Sequence, residues 1–144
     1  MDQALKERLQ AALARLPISE ANRAHADTYV DFAAGFIWFR THIAREEMAH
    51  RENLWWELAS IKERDRKPVA AVTTDVAAAV FKTLTGLPVT RVSKVKKGRR
   101  GQQETGQFAQ FLDEILRILE IDAKPAGQIK LYKQIEANKL KPPA

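Results

Sequence analysis

The sequence predicts an all-α fold: a single-domain bundle of five or six helices around one long central helix, with little or no sheet. Three observations lead there. Apolar residues recur at three- and four-residue spacing in segment after segment, the period of a helix with one buried face. Prolines and glycines such as Pro17, Pro68, Gly86 and Pro125 fall between those segments. One stretch without proline, Thr28 to Arg66, holds all three tryptophans, Trp38, Trp55 and Trp56.

The first segment, from Gln3 to Leu16, carries Leu5, Leu9, Leu13 and Leu16 as a narrow stripe. Asp2 is placed to cap it and Pro17 to end it. Ser19 can cap a short second helix, with Ile18 packing just before it. Thr28 followed by Asp31 resembles a capping box and sets the expected start of the central helix.

On a helical wheel the central stretch puts Phe36, Phe39, Ile43, Leu54, Leu58 and Ile61 on one face, the expected core face. Ile37, Ala44, Met48 and Trp55 form a neighbouring stripe. Trp38 and Trp56 point away from the main face and are candidate interface residues, to be covered by other helices or by a second chain. A straight helix over this stretch is about 55–60 Å long at ~1.5 Å per residue. A compact domain of this size has a radius of gyration of about 14–15 Å. The expectation is therefore a bend, at Gly35 or at His50–Asn53, or a homo-oligomer formed through the long helix.

Glu47-Met48-Ala49-His50 has the Glu-x-x-His spacing that places two metal ligands on one helix face. The second such pair and the further glutamates of a di-metal bundle are not evident. An ion pair among Arg40, Glu47 and Arg51, with His50 beside it, accounts for the same residues. Neither a metal nor another cofactor is expected. No catalytic residue is assigned either, because no serine lies in a Gly-x-Ser-x-Gly elbow and the chain has no cysteine.

After Lys67-Pro68, a helix capped by Thr73 or Thr74 is expected, with Asp75 in its first turn and Val76, Val80, Leu84 and Leu87 buried. Gly86 is placed to end it in a left-handed conformation. Residues 89–106 read as a flexible basic loop. Another helix runs from about Thr105 to Ile121 with Phe108, Phe111, Leu112, Ile115, Leu116 and Leu119 inward. Pro125 begins a last helix with Ile129, Tyr132 and Ile135 inward. The whole reads as one domain over 1–141, followed by a frayed tail at 142–144.

Charge is unevenly spread. The formal net charge is +6. Arg91, Lys94, Lys96, Lys97, Arg99 and Arg100 account for the excess, since the other 18 lysines and arginines are matched by 18 acidic residues. No acidic residue lies between Asp75 and Glu104. Such a patch suits an anionic partner, DNA or RNA, bound through its phosphates. The sequence has no apolar run long enough to span a membrane and no secretory signal at Met1-Asp2-Gln3-Ala4. A cytoplasmic protein is expected.

Two resemblances rest on particular residues. Thr85-Gly86-Leu87-Pro88-Val89-Thr90-Arg91-Val92-Ser93-Lys94-Val95 resembles the turn and second helix of a helix-turn-helix, as in LacI-type repressors, within 76–97. It implies that Thr90, Arg91, Ser93 and Lys94 face a DNA groove and that Leu87, Val92 and Val95 pack inward. Lys82 departs from the small residue that motif places there. Leu84-Thr85-Gly86-Leu87-Pro88, the basic linker and Gly106-Gln107-Phe108-Ala109-Gln110-Phe111-Leu112, within 76–132, are similar to uncharacterised helical proteins of proteobacterial prophages. That resemblance implies no activity.

The functional expectation is thus a non-enzymatic nucleic-acid-binding accessory or regulatory protein. The alternative is a helical protein-interaction or scaffold module, oligomeric and without a nucleic-acid role.

Overall fold

A computed structural model describes residues 1–48, 67–89 and 106–140. Six helices and no strand occur among them. They are α1 (Gln3–Ala14), α2 (Glu20–Arg23), α3 (Ala26–Met48), α4 (Pro68–Thr85), α5 (Gln107–Ile118) and α6 (Pro125–Leu140). The all-α expectation holds.

Four helices form a closed ring: α1 packs on α3, α3 on α4, α4 on α5, and α5 back on α1. Helix α6 lies outside it against α4 and α5. The capping residue of α1 is the expected one, as the Asp2 carboxylate accepts from the Ala4 amide at 3.3 Å. Leu9, Leu13 and Leu16 are buried and Leu5 half-buried, so the narrow stripe docks as its spacing requires.

The most enclosed helix is α4, with twelve of its eighteen residues buried. Pro68 occupies its first turn, where a missing amide proton costs nothing. Thr73 and Thr74, expected as caps, lie inside the helix and are buried. Their hydroxyls are satisfied there: Thr74 donates to the Ala70 carbonyl at 2.7 Å, and Thr73 pairs with Thr41 of α3 at 2.7 Å. Gly86 ends the helix at φ 70°, and its amide donates to the Lys82 carbonyl at 2.9 Å. That left-handed cap is the conformation glycine adopts without a Cβ penalty.

Helix α5 buries Phe108, Phe111, Leu112, Ile115 and Leu116. Phe81 of α4 meets Phe108 edge to face at 5.3 Å between ring centres. The chain leaves α5 through Glu120 at φ 56°. Ile121 donates to Leu116 at 2.8 Å and Glu120 to Arg117 at 3.1 Å, the bonding pattern of a Schellman motif. Ile121 then packs against the core as that motif requires. Arg45 reaches from α3 to the Leu119 carbonyl, and Lys67 to the Asp122 carbonyl at 2.9 Å. These two bonds tie the α5–α6 turn to α3 and to the start of α4.

Several local expectations change. Helix α3 begins at Ala26, and Asp31 is not part of a cap. Its carboxylate instead bridges to α1, 3.1 Å from Lys6 and 2.8 Å from Gln10. Gly35 does not break α3, which runs through it. Leu87, expected to be buried, is exposed, because α4 ends at Thr85 and the chain turns at Gly86. The proposed break at His50–Asn53 lies outside the described residues.

Candidate interaction surface

The largest departure from expectation concerns which face of α3 is buried. The inward residues are Val30, Ala33, Ala34, Ile37, Thr41 and Ala44. Tyr29, Phe32, Phe36, Phe39 and Ile43 are exposed, Phe32 at 71% and Phe39 at 53%. The described part of the expected core face, Phe36, Phe39 and Ile43, is therefore exposed, while Ile37 and Ala44 of the neighbouring stripe belong to the core; Leu54, Trp55, Leu58 and Ile61 lie outside the described residues. The reason lies in α4. Its surface is alanine, valine and threonine packed at close range, and it accepts a stripe of small side chains where it would not accept three phenylalanines.

The five outer residues are spaced three, four, three and four apart, the repeat of a coiled-coil seam. They form one continuous strip along α3. Phe32 and Phe36 stack with ring centres 6.1 Å apart. Beside the strip runs an open groove of about 420 Å³ between α3 and α4. Tyr29, Phe32, Ala33 and Phe36 line one wall, and Ala79, Val80, Thr83 and Leu84 the other. Ala79 is exposed, so this wall is shallow and apolar.

Asn22 closes one end of the groove. Its amide donates to the Thr83 carbonyl at 2.8 Å and to Ser19 Oγ at 2.8 Å. With the Ser19 amide bonded to the Leu84 carbonyl at 2.9 Å, α2 is pinned to the end of α4. The groove is thereby fixed by hydrogen bonds at its end and by packing along its floor.

Trp38 does not project from the bundle. It is half-buried against the core, and its ring stacks on His42 at 5.0 Å. Trp56 lies outside the described residues. Arg40 and Glu47, two members of the ion pair considered in the sequence, are both exposed. His50 and Arg51 lie outside the described residues. No group of three potential metal ligands occurs among the described residues. No described helix is long and apolar enough to cross a membrane.

The basic residues Arg91, Lys94, Lys96, Lys97, Arg99 and Arg100 all lie outside the described residues, as does the second helix of the helix-turn-helix resemblance. Lys82 is exposed, and its ammonium donates to the Tyr132 hydroxyl at 3.1 Å, which raises its pKa.

A second polar location lies between α4 and α6. Asp75 is half-buried, and burial raises its carboxyl above the ordinary value. Lys139 opposes that shift, Glu136 adds to it, and Arg40 and Lys82 oppose it. Gln128 is buried beside Asp75 around a cavity of about 10 Å³, and its Oε1 has no hydrogen-bond partner among the described residues. That volume is about one water molecule, too small for an organic ligand.

Sequence reasoning passed over Phe32, Tyr29 and the α4 wall of Ala79 and Thr83. The available signal was the regular 3-4 repeat from Tyr29 to Ile43, which a second stripe of small residues accompanies on the opposite side. Compared with protein-family models, curated proteins and solved structures, the chain matches none.

Proposed function

We propose that the chain is a non-enzymatic helical interaction module whose working surface is the outer face of α3 with the groove beside α4. One observation carries this reading: five large apolar residues stand exposed in a continuous strip on a single helix. Scattered apolar residues on a surface are ordinary, but contiguous strips mark contact sites. The groove offers a shape that a partner's apolar side chains can fill, as in helix-in-groove recognition.

The test is site-specific photocrosslinking. A benzoylphenylalanine placed at Phe32 or Phe39 in the full chain, expressed in its host, should give a discrete protein adduct. The same group at Lys133, on the solvent side of α6, should give none. Equal adduct patterns at all three positions would contradict the reading.

A second reading keeps its support in the sequence: nucleic-acid binding through Arg91, Lys94, Lys96, Lys97, Arg99 and Arg100. The local excess of positive charge favours it. Its test is binding to short duplex DNA and single-stranded RNA across a salt series. Phosphate contacts give a steep salt dependence, and Arg99→Ala with Arg100→Ala should lower the logarithmic slope by about 2. Absence of binding at low salt removes this reading and leaves the first untouched.

A further inference from the structure

The outer strip of α3 needs an occupant, and we infer that it is a second copy of the same helix, α3 on α3 across a two-fold axis. This rests on the reading that the outer face of α3 is the working surface, and it names the partner. Three features point to self-pairing.

The first is the repeat. A 3-4 seam is apolar along its whole length, so a two-fold rotation lays it on itself with every large residue meeting another. The second is charge. One flank of the seam carries both signs, Arg40 with Glu47, and the other carries Glu46 beside the formally neutral His42. Opposed copies therefore do not set only like charges against each other. The charge excess of the chain lies in 91–100, not on this face, so the strip offers no bias toward an acidic partner. The third is Gly35. A Cβ added there meets nothing within 4 Å among the described residues, and its φ is not in the left-handed region. Neither packing among the described residues nor backbone conformation calls for glycine, which costs about 1 kcal/mol against alanine inside a helix. Gly35 lies three residues after Phe32 and four before Phe39, on the flank of the seam. A missing side chain there lets a second helix backbone come close.

The area is adequate. The exposed parts of the five residues amount to about 500 Å² per chain, given the 150–250 Å² that a whole aromatic side chain buries. The α4 wall of the groove and the flanking residues extend the contact toward the ~800 Å² per partner of a specific interface. The groove receives the phenylalanines of the opposite copy.

The experiment is sedimentation velocity on the full chain from low to high micromolar concentration, with Phe32→Glu/Phe39→Glu and Gly35→Gln beside it. Melting curves are taken at the lowest concentration. The wild type should show a monomer–dimer equilibrium. The double glutamate variant should weaken it at least ~100-fold, as loss of central aromatic contacts does. Gly35→Gln should weaken it about 10-fold while its monomer melts no lower than wild type. A wild-type dimer that both variants leave intact overturns the inference. So does a wild type that stays monomeric throughout. In the monomeric case, unchanged melting of the double variant leaves the interaction module standing with a different partner. A large fall in its melting temperature shows instead that the strip is covered within the chain, and the proposed function fails as well.

Discussion

Phe108 and Phe111 on α5 are buried against Phe81, whereas Phe32 and Phe39 on α3, with the same side-chain chemistry, face outward. The two helices differ in their neighbours. Helix α5 is held by α1, α4 and α6, and its rings fill the space where those helices meet. The main partners of α3, α1 and α4, lie on its inner side, and the α4 surface is built from small residues. Close packing there selects Ala33, Ala34, Ile37 and Thr41, and the aromatic residues are left outside. Burial is thus decided by the space the neighbouring helices leave. A large apolar side chain that no neighbour can receive is left exposed.

The largest effect should separate the two sets of phenylalanines. Phe108→Ala removes a fully enclosed ring and should cost about 3–5 kcal/mol in chemical denaturation. Phe32→Ala, measured at a concentration low enough to keep the chain monomeric, should stay within ~0.5 kcal/mol of wild type. Similar losses for both would erase the distinction between the helices.

A middle-sized effect probes the close contact of α3 with α4. Ala34 is fully enclosed, so Ala34→Leu should destabilise by about 1–3 kcal/mol through overpacking. The same enlargement at exposed Ala79, Ala79→Leu, should leave stability unchanged and partly fill the groove. A stable Ala34→Leu variant in urea unfolding would show that the inner face has room for large residues, and the explanation for the outward aromatics would fall.

The smallest effect concerns Asp75 on α4, the helix that α3 and α5 share. Its folded pKa is raised above the ordinary 3.8, mainly by burial. The folded chain therefore holds this proton more tightly than the unfolded chain. Its contribution is most favourable below 3.8 and is lost as pH rises through the folded value. Asp75→Asn should remove that slope and be the more stable of the two at neutral pH. Urea midpoints of both proteins measured from acid to neutral pH check the sign. A wild type that gains on the variant as pH rises would contradict it.

Much of this architecture was legible in the sequence. The leucines of α1, Gly86 at the end of α4 and the strong periodicity of α5 each carry a local signal that the structure obeys. The orientation of α3 was not legible from its own residues. Two stripes of helical spacing lie on it, one of large and one of small residues, and hydrophobicity favours the large one. Only the alanine-rich character of α4 decides between them, and that is a property of a different segment. The start of α4 was missed for a related reason. Thr73 and Thr74 are good caps in isolation, but Thr41 supplies a buried partner across the helix interface that no local pattern reveals. Of the candidate site, Phe36, Phe39 and Ile43 were visible and were assigned to the core, whereas Tyr29, Phe32 and the α4 wall were passed over.

The most direct measurement uses the absence of native cysteine. A single cysteine is introduced in place of Phe32 or of Phe111, and its reaction with a thiol reagent is followed under native conditions in dilute solution. Phe32→Cys should react at nearly the rate of a free thiol, and Phe111→Cys far more slowly, since a buried thiol is inert until the fold opens. Comparable protection at both positions at the lowest usable concentration would show that the outer face of α3 is enclosed within the chain and would contradict the account.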